Sequence, residues 1–199
     1  MITIVGWPRS GTHWMKALLE STLGEEVGHS HAVPSDPEQQ YVLMVRDPRD
    51  SLASHWRLYR HDERPECTEL EFVDLLLKGG MESHQGWNIG WVPHTQALLD
   101  WNEEHGSPLV SYEELYEDPQ RVLISVLKKL GVKASAKVVA QAVEELNDRR
   151  CDPSGLPAED LGQPGRWESE LLEETIHAVV RYCGGLMVEL GYIELGYGD

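Results

Sequence analysis

No apolar run in this sequence reaches the roughly 18 residues that a membrane-spanning helix needs, and no basic-then-apolar leader opens it. The expected setting is cytoplasmic, with no membrane partner. Cysteine is scarce: Cys67, Cys151 and Cys183 are the only three. They are too few and too scattered for a disulfide framework or a zinc site, and they read as reduced thiols. Basic residues are scarce as well. Lys and Arg number 17 against 34 Asp and Glu, a net charge of −17, which argues against a general nucleic-acid partner. Repeats and low-complexity tracts are missing too.

What is present is an ordinary globular composition, 41% hydrophobic and 26% charged over 199 residues. That length fits one domain, 1–199, with a proper core. The acid is unevenly spread. Residues 1–61 carry a net −1 and residues 62–199 a net −16, so the N-terminal third tolerates an anionic ligand best.

Along the chain, short apolar runs alternate with amphipathic stretches. Strands are expected at Ile2–Gly6, Val27–His31, Tyr41–Val45 and Pro108–Ser111. Helices are expected at Thr12–Leu23, from Pro48 to about His61, and at Glu69–Lys78, Trp91–His105, Pro119–Leu130, Ala134–Leu146 and Glu168–Tyr182. The first of them carries an apolar stripe of Trp14, Met15, Leu18, Leu19 and Leu23. Residues 151–166, with three prolines and three glycines, form a loop or flap. The alternation predicts an α/β sandwich around a small parallel sheet.

Between the first strand and the first helix lies Gly6-Trp7-Pro8-Arg9-Ser10-Gly11-Thr12-His13-Trp14. A helix N-terminus presents unpaired N–H groups and a partial positive charge, so such a loop suits an anion. Ser10, Thr12 and His13 add donors, and Arg9 adds a fixed charge. Gly6 and Gly11 have the spacing of a Walker A loop, but Thr12 stands where its lysine belongs, which weakens an ATP or GTP reading.

The loop resembles the PKSGTTW loop of PAPS-dependent sulfotransferases, which binds the 5′-phosphosulfate end of 3′-phosphoadenosine-5′-phosphosulfate. Arg9 replaces that family's lysine, and His13 its second threonine. Tyr41–Ser54, with Arg46-Asp47-Pro48-Arg49-Asp50 inside it, resembles the family's VxRNPxDxxxSxx segment. By that resemblance Arg46 and Ser54 hold the 3′-phosphate, while Arg49 and Arg57 read as surface helix residues. Gly28–Pro34 resembles the KTHLP segment, which makes His31 the general base and His29 the substitute for a lysine. Histidine suits that role because it titrates near neutrality. The His29-x-His31 pair lacks a partner at metal-ligand spacing, so no metal is expected.

Three weaker matches follow. Gly90–His94 resembles a GxW-x-x-H stretch beside the acceptor pocket, implying Trp91 and His94 as substrate-binding residues. Trp87, Trp91 and Trp101 read equally well as core residues. Leu109–Leu115 resembles the strand and YEDL segment, which puts Tyr112 near the donor's adenine. Gly162–Trp167 resembles the end of the RKGxxGDW flap, although Asp160-Leu161 stands in place of Arg-Lys. Gly165 and Arg166 would then close on the donor.

The resemblance spans about residues 2–183. It implies a three-layer α/β sandwich of the P-loop NTPase-like sulfotransferase type and in-line transfer of a sulfuryl group from PAPS to a hydroxyl or amine. The acceptor would be a small molecule or a glycan, and PAP the product. Two alternatives stand beside it: a P-loop kinase using Asp47 for Mg²⁺, and a non-catalytic PAP- or PAPS-binding protein of the same fold. Acceptor identity and oligomeric state are left open by the sequence.

Overall fold

The computed structural model describes residues 1–61, 67–79, 89–147 and 162–194. Cys151, Trp87 and the 151–161 part of the flap, including Asp160-Leu161, lie outside the described residues.

Four short strands form one parallel sheet: β1 (Ile2–Gly6), β2 (Gly28–Ser30), β3 (Gln40–Val45) and β4 (Leu109–Ser111), in the order β2-β1-β3-β4. In register, Ile4 pairs with Val42, Gly6 with Met44, and Val45 with Ser111. Every residue of β1 is buried, as a central parallel strand covered on both faces requires.

The helices are α1 (Thr12–Leu23), α2 (Pro48–His61), α3 (Glu69–Lys78), α4 (Trp91–His105), α5 (Tyr112–Glu117), α6 (Pro119–Lys129), α7 (Ala136–Asn147), α8 (Trp167–Glu170) and α9 (Glu173–Glu189). Successive strand side chains point to opposite faces. Ile2, Ile4, Val42 and Met44 pack with the apolar stripe of α1 and with Leu123, Val126 and Leu127 of α6. Val5, Leu43 and Val45 meet Leu98 of α4 on the other face. Beyond them α2, α3, α4 and α9 share a second cluster around Leu52, Phe72, Trp91 and Val179. The result is the expected mixed α/β fold, with a small parallel sheet flanked by helices.

Two elements differ from the sequence reading. The expected helix Glu168–Tyr182 is two helices, because Leu171 is extended (φ −102°, ψ 148°) and buried. Glu69 of α3 then accepts from the Leu172 N–H at 2.8 Å, and α9 runs on to Glu189. Helix α5 was not expected at all. It starts directly from β4 with Ser111 as its N-cap, the hydroxyl accepting from Glu114 N–H. Ser111-x-x-Glu114 is a capping signature that was readable.

All four strands point the same way, so the loops after β1, β2, β3 and β4 lie along one edge. The chain goes from β1 to β2 on one side, then crosses to β3 on the other. That reversal between β1 and β3 is where open parallel sheets place ligands.

Candidate functional site

The β1–α1 loop, Trp7–Gly11, occupies the reversal point. Arg9 (φ 68°) and Gly11 (φ 83°) both adopt the left-handed conformation, and Arg9 is the only non-glycine among the described residues to do so. Alternation of this kind curls backbone N–H groups into an anion-binding concavity. Gly11 is also forced by space: a Cβ there would lie 2.3 Å from Cδ2 of Tyr112. Helix α1 has no side-chain cap and no acidic residue in its first turn. The positive end of its dipole therefore faces the loop without an acidic side chain to offset it. Ser10 is fully buried, and its Oγ has no hydrogen-bond partner among the described residues.

Arg46 follows β3 and is 5% exposed. Its Nη1 donates to the Arg9 carbonyl at 3.0 Å, its guanidinium lies 4.1 Å from the Tyr112 ring centroid, and its Nε has no partner among the described residues. Ser54, two turns along α2, accepts from Arg9 Nε at 2.9 Å. The two anion motifs, about 35 residues apart in sequence, are thus one site. Tyr112 is buried between Gly11 and Arg46, and its ring also meets Trp14 edge-on at 6.1 Å.

His31 stands just past β2. Its Nδ1 lies 2.8 Å from the Gly6 carbonyl. A carbonyl only accepts, so Nδ1 carries the proton and Nε2 is left with the lone pair. Burial lowers the His31 pKa, and the bond to Gly6 opposes this only in part, so the ring is neutral at pH 7. His13, His29 and His31 form a chain of imidazoles with centroids 4.2 and 4.6 Å apart. His29 Nε2 is 2.9 Å from Thr12 Oγ1, and burial with the nearby His31 pushes its pKa down to about 4. Among the described residues no cluster of three His, Cys, Asp or Glu is placed to hold a metal ion.

Trp91 and His94, expected at an acceptor pocket, are both completely buried. Trp91 packs in the cluster shared by α2, α3 and α9. His94 Nε2 donates to the His31 carbonyl at 2.9 Å, and burial lowers its pKa to about 4. His94 thus supports the His31 segment through that bond, while Trp91 packs in the core.

Arg49 is not a surface residue as expected. It is 4% exposed, donates to Asp47 from Nε (3.0 Å) and Nη2 (2.6 Å) and to the Tyr192 carbonyl, and stacks on Trp167 at 3.9 Å. Asp47 is consumed by that pair. Arg57 and Arg166 both reach Glu170 at 2.6 Å, which ties α2 to the end of the flap.

Three side chains escaped sequence reading. Buried Asp50, in the first turn of α2, accepts from Gly165 N–H (2.7 Å) and Trp167 N–H (3.2 Å) and so anchors the flap end. Its pKa is raised by burial against the pull of Arg46. Its signals were its place as the acid of the VxRNPxDxxxSxx match and at a helix start. Half-buried Glu113 accepts from Asp47 N–H, Ser111 Oγ and Tyr192 OH. His55 lies beneath the β1–α1 loop, edge-on to Trp7 at 5.3 Å. An open cleft of about 550 Å³ lies beside the flap end, walled by Asp47, Asp50, Glu113 and Trp167 among others.

Comparison with known proteins agrees with this fold. No curated protein matches the sequence. A mouse sulfotransferase complexed with PAP has the same fold, with TM-score 0.75 and 18% identity over 96% of this chain and 86% of that one. Retinol dehydratase in complex with androsterone and the inactive cofactor PAP also has TM-score 0.75, with 13% identity over 98% of this chain and 82% of that one. Its complex with retinol and PAP gives TM-score 0.72 at the same identity and coverage. The model of the sulfotransferase domain matches residues 27–150, which takes in His31, Arg46, Ser54 and Tyr112. With that match over more than half its length, the chain belongs to the sulfotransferase family.

Proposed function

We propose that the chain binds PAPS across the β1/β3 reversal and transfers its sulfuryl group to a hydroxyl or amine of a small-molecule or glycan acceptor. The observation that carries this reading is the His31–Gly6 bond. It seats a neutral imidazole, with Nε2 unprotonated, on the backbone of the anion loop itself.

The residues present fit an anionic donor. Ser10 Oγ and Arg46 Nε are donors without an acceptor among the described residues, and they stand beside the left-handed turns at Arg9 and Gly11 and the start of α1, which has no side-chain cap. The loop residues Arg9, Ser10, Gly11, Thr12 and His13, with Trp14, would hold the 5′ end. Arg46 and Ser54 would hold the 3′-phosphate, with Tyr112 fixing the Arg46 plane, and Gly165 and Arg166 would close the flap. When bound, the donor supplies an activated sulfuryl group on a phosphate leaving group. His31 Nε2 takes the proton from the acceptor oxygen as the new S–O bond forms. Arg9 and the α1 N–H groups stabilise the charge left on the departing phosphate. No metal is called on. Asp47, the acid a kinase would need, is locked to Arg49.

The test is a calorimetric titration with PAP, followed by a sulfate-transfer screen over phenols, alcohols and amines. PAP binding that is lost with Arg46→Ala supports the donor site. His31→Ala should cut transfer by about 10²–10⁴-fold, more than it weakens PAP. Binding of PAP without transfer to any acceptor would favour a non-catalytic nucleotide-binding protein. Preference for ATP–Mg²⁺ over PAP would refute the proposal.

A further inference from the structure

A general base works only from a fixed place, and the place of His31 depends on two bonds. Its ring is tied through Nδ1 to the Gly6 carbonyl at 2.8 Å. Its peptide has already left the sheet, because the register of β2 with β1 ends at the Val5–Ser30 pair. A second histidine meets that peptide from α4: His94 Nε2 lies 2.9 Å from the His31 carbonyl. A carbonyl only accepts, so Nε2 of His94 carries a proton. The two imidazoles therefore hold opposite tautomers, Nδ1–H in His31 and Nε2–H in His94.

We propose that His94 is a positioning residue for the base, its Nε2–H fixing the His31 peptide so that the His31 ring stays on Gly6 with its own Nε2 free for the acceptor's proton. The support behind the bond is stiff. His94 is completely buried in the first turn of α4, and its N–H donates to the Gly90 carbonyl at 3.1 Å. Gly90 is pressed against the end of α3, where any Cβ would collide with the Leu77 carbonyl. Leu98, one turn further along the same face, packs on Val5, Leu43 and Val45 of the sheet. The other ring nitrogen of His94 points the same way. Nδ1 is buried with no hydrogen-bond partner among the described residues. An orphaned buried acceptor is costly, and a residue that only filled space would gain nothing from it. The bond to His31 is what the imidazole supplies in return. His94 acts through His31 and touches neither donor nor acceptor.

The inference rests on His31 being the base, and the test keeps the two apart. Proton–nitrogen correlation spectra of the full chain without ligand should show His31 as a single Nδ1–H tautomer and His94 as Nε2–H, its proton slow to exchange. An unprotonated His94 Nε2 in wild type overturns the inference without any variant. His94→Leu fills the space but loses the N–H, and His31 should then mix its tautomers. His94→Gln, whose amide nitrogen reaches near the Nε2 position, should restore the single tautomer. Transfer to the acceptor selected by the screen should fall about 10–10²-fold in His94→Leu and recover in His94→Gln, while PAP affinity stays within about twofold throughout. An unchanged His31 tautomer in His94→Leu overturns the inference, and so does a His94→Gln no better than His94→Leu. A parallel loss of PAP affinity marks a general packing role and also overturns it. A wild-type chain that shows both tautomers as expected but transfers to no acceptor overturns the base reading, and this inference with it.

Discussion

Arg49 distinguishes most sharply between sequence reading and structure. As a solvated helix residue it would cost no more than about 0.5 kcal/mol to truncate. As found, it is 4% exposed and faces an Asp47 that is 6% exposed. The pair is forked, with Nε at 3.0 Å from Oδ1 and Nη2 at 2.6 Å from Oδ2. Arg49→Ala leaves the Asp47 carboxylate buried with only N–H partners, frees the Tyr192 carbonyl and removes the cation from the Trp167 face. Removing one member of a buried pair typically costs about 3–5 kcal/mol. The surviving N–H of residue 49, 2.8 Å from Asp47 Oδ1, argues for the lower half of that range. With a urea slope of about 2.5 kcal/mol per molar, the midpoint should fall by about 1.2–1.6 M with the slope unchanged. Asp47→Asn combined with Arg49→Met removes both charges and should regain more than half of the loss. Arg121→Ala, at a 57% exposed side chain in loose ion pairs, is the control and should shift stability by less than about 1 kcal/mol. An Arg49→Ala loss no larger than that control would refute the buried-pair account.

Gly11→Ala should destabilise by more than about 2 kcal/mol, because φ 83° disfavours any Cβ and Tyr112 occupies its space; a melting temperature matching wild type would contradict this. Asp50→Asn should release the flap end, read as faster amide exchange at Gly165 and Trp167 and a loss of about 1.5–3 kcal/mol for the charge-assisted bonds; unchanged protection would refute the anchor. Acid should destabilise the fold through His94. Its pKa is lowered from 6.5 to about 4 by burial, so between those values the unfolded chain binds a proton that the folded chain does not. Stability is complete above about pH 6.5 and is lost as the pH falls toward 4, by up to about 3 kcal/mol. Denaturant midpoints of wild type and His94→Gln, compared at pH 7 and 4.5, should converge in acid; a constant difference would refute the assignment.

The anion loop was legible because local rules produce it. An apolar run ends in Gly6, Gly11 opens an amphipathic helix, and Thr12 replaces the lysine of an ATP site. The elements β1, α1, α3 and α4 came out with their observed bounds because apolar periodicity and glycine termini are short-range signals. Arg46, Ser54 and His31 were named from motif order, which needs no knowledge of distance. Partnership was not legible. Nothing local distinguishes Arg49, buried on Asp47 and Trp167, from Arg121, which is exposed, since both are arginines near a helix N-terminus. His94 and Trp91 matched an acceptor-side pattern, yet the packing of α4 turned both inward. Asp50 and Glu113 lie inside the matched motifs and His55 beside one, yet what they hold was not legible, because their partners lie 115, 66 and 48 positions away. The sequence by itself determined which residues have the chemistry to hold an anion and take a proton. Only the tertiary structure decided which of them face the site and which hold it in place, because burial and hydrogen bonding are settled between elements that meet only once the sheet is assembled.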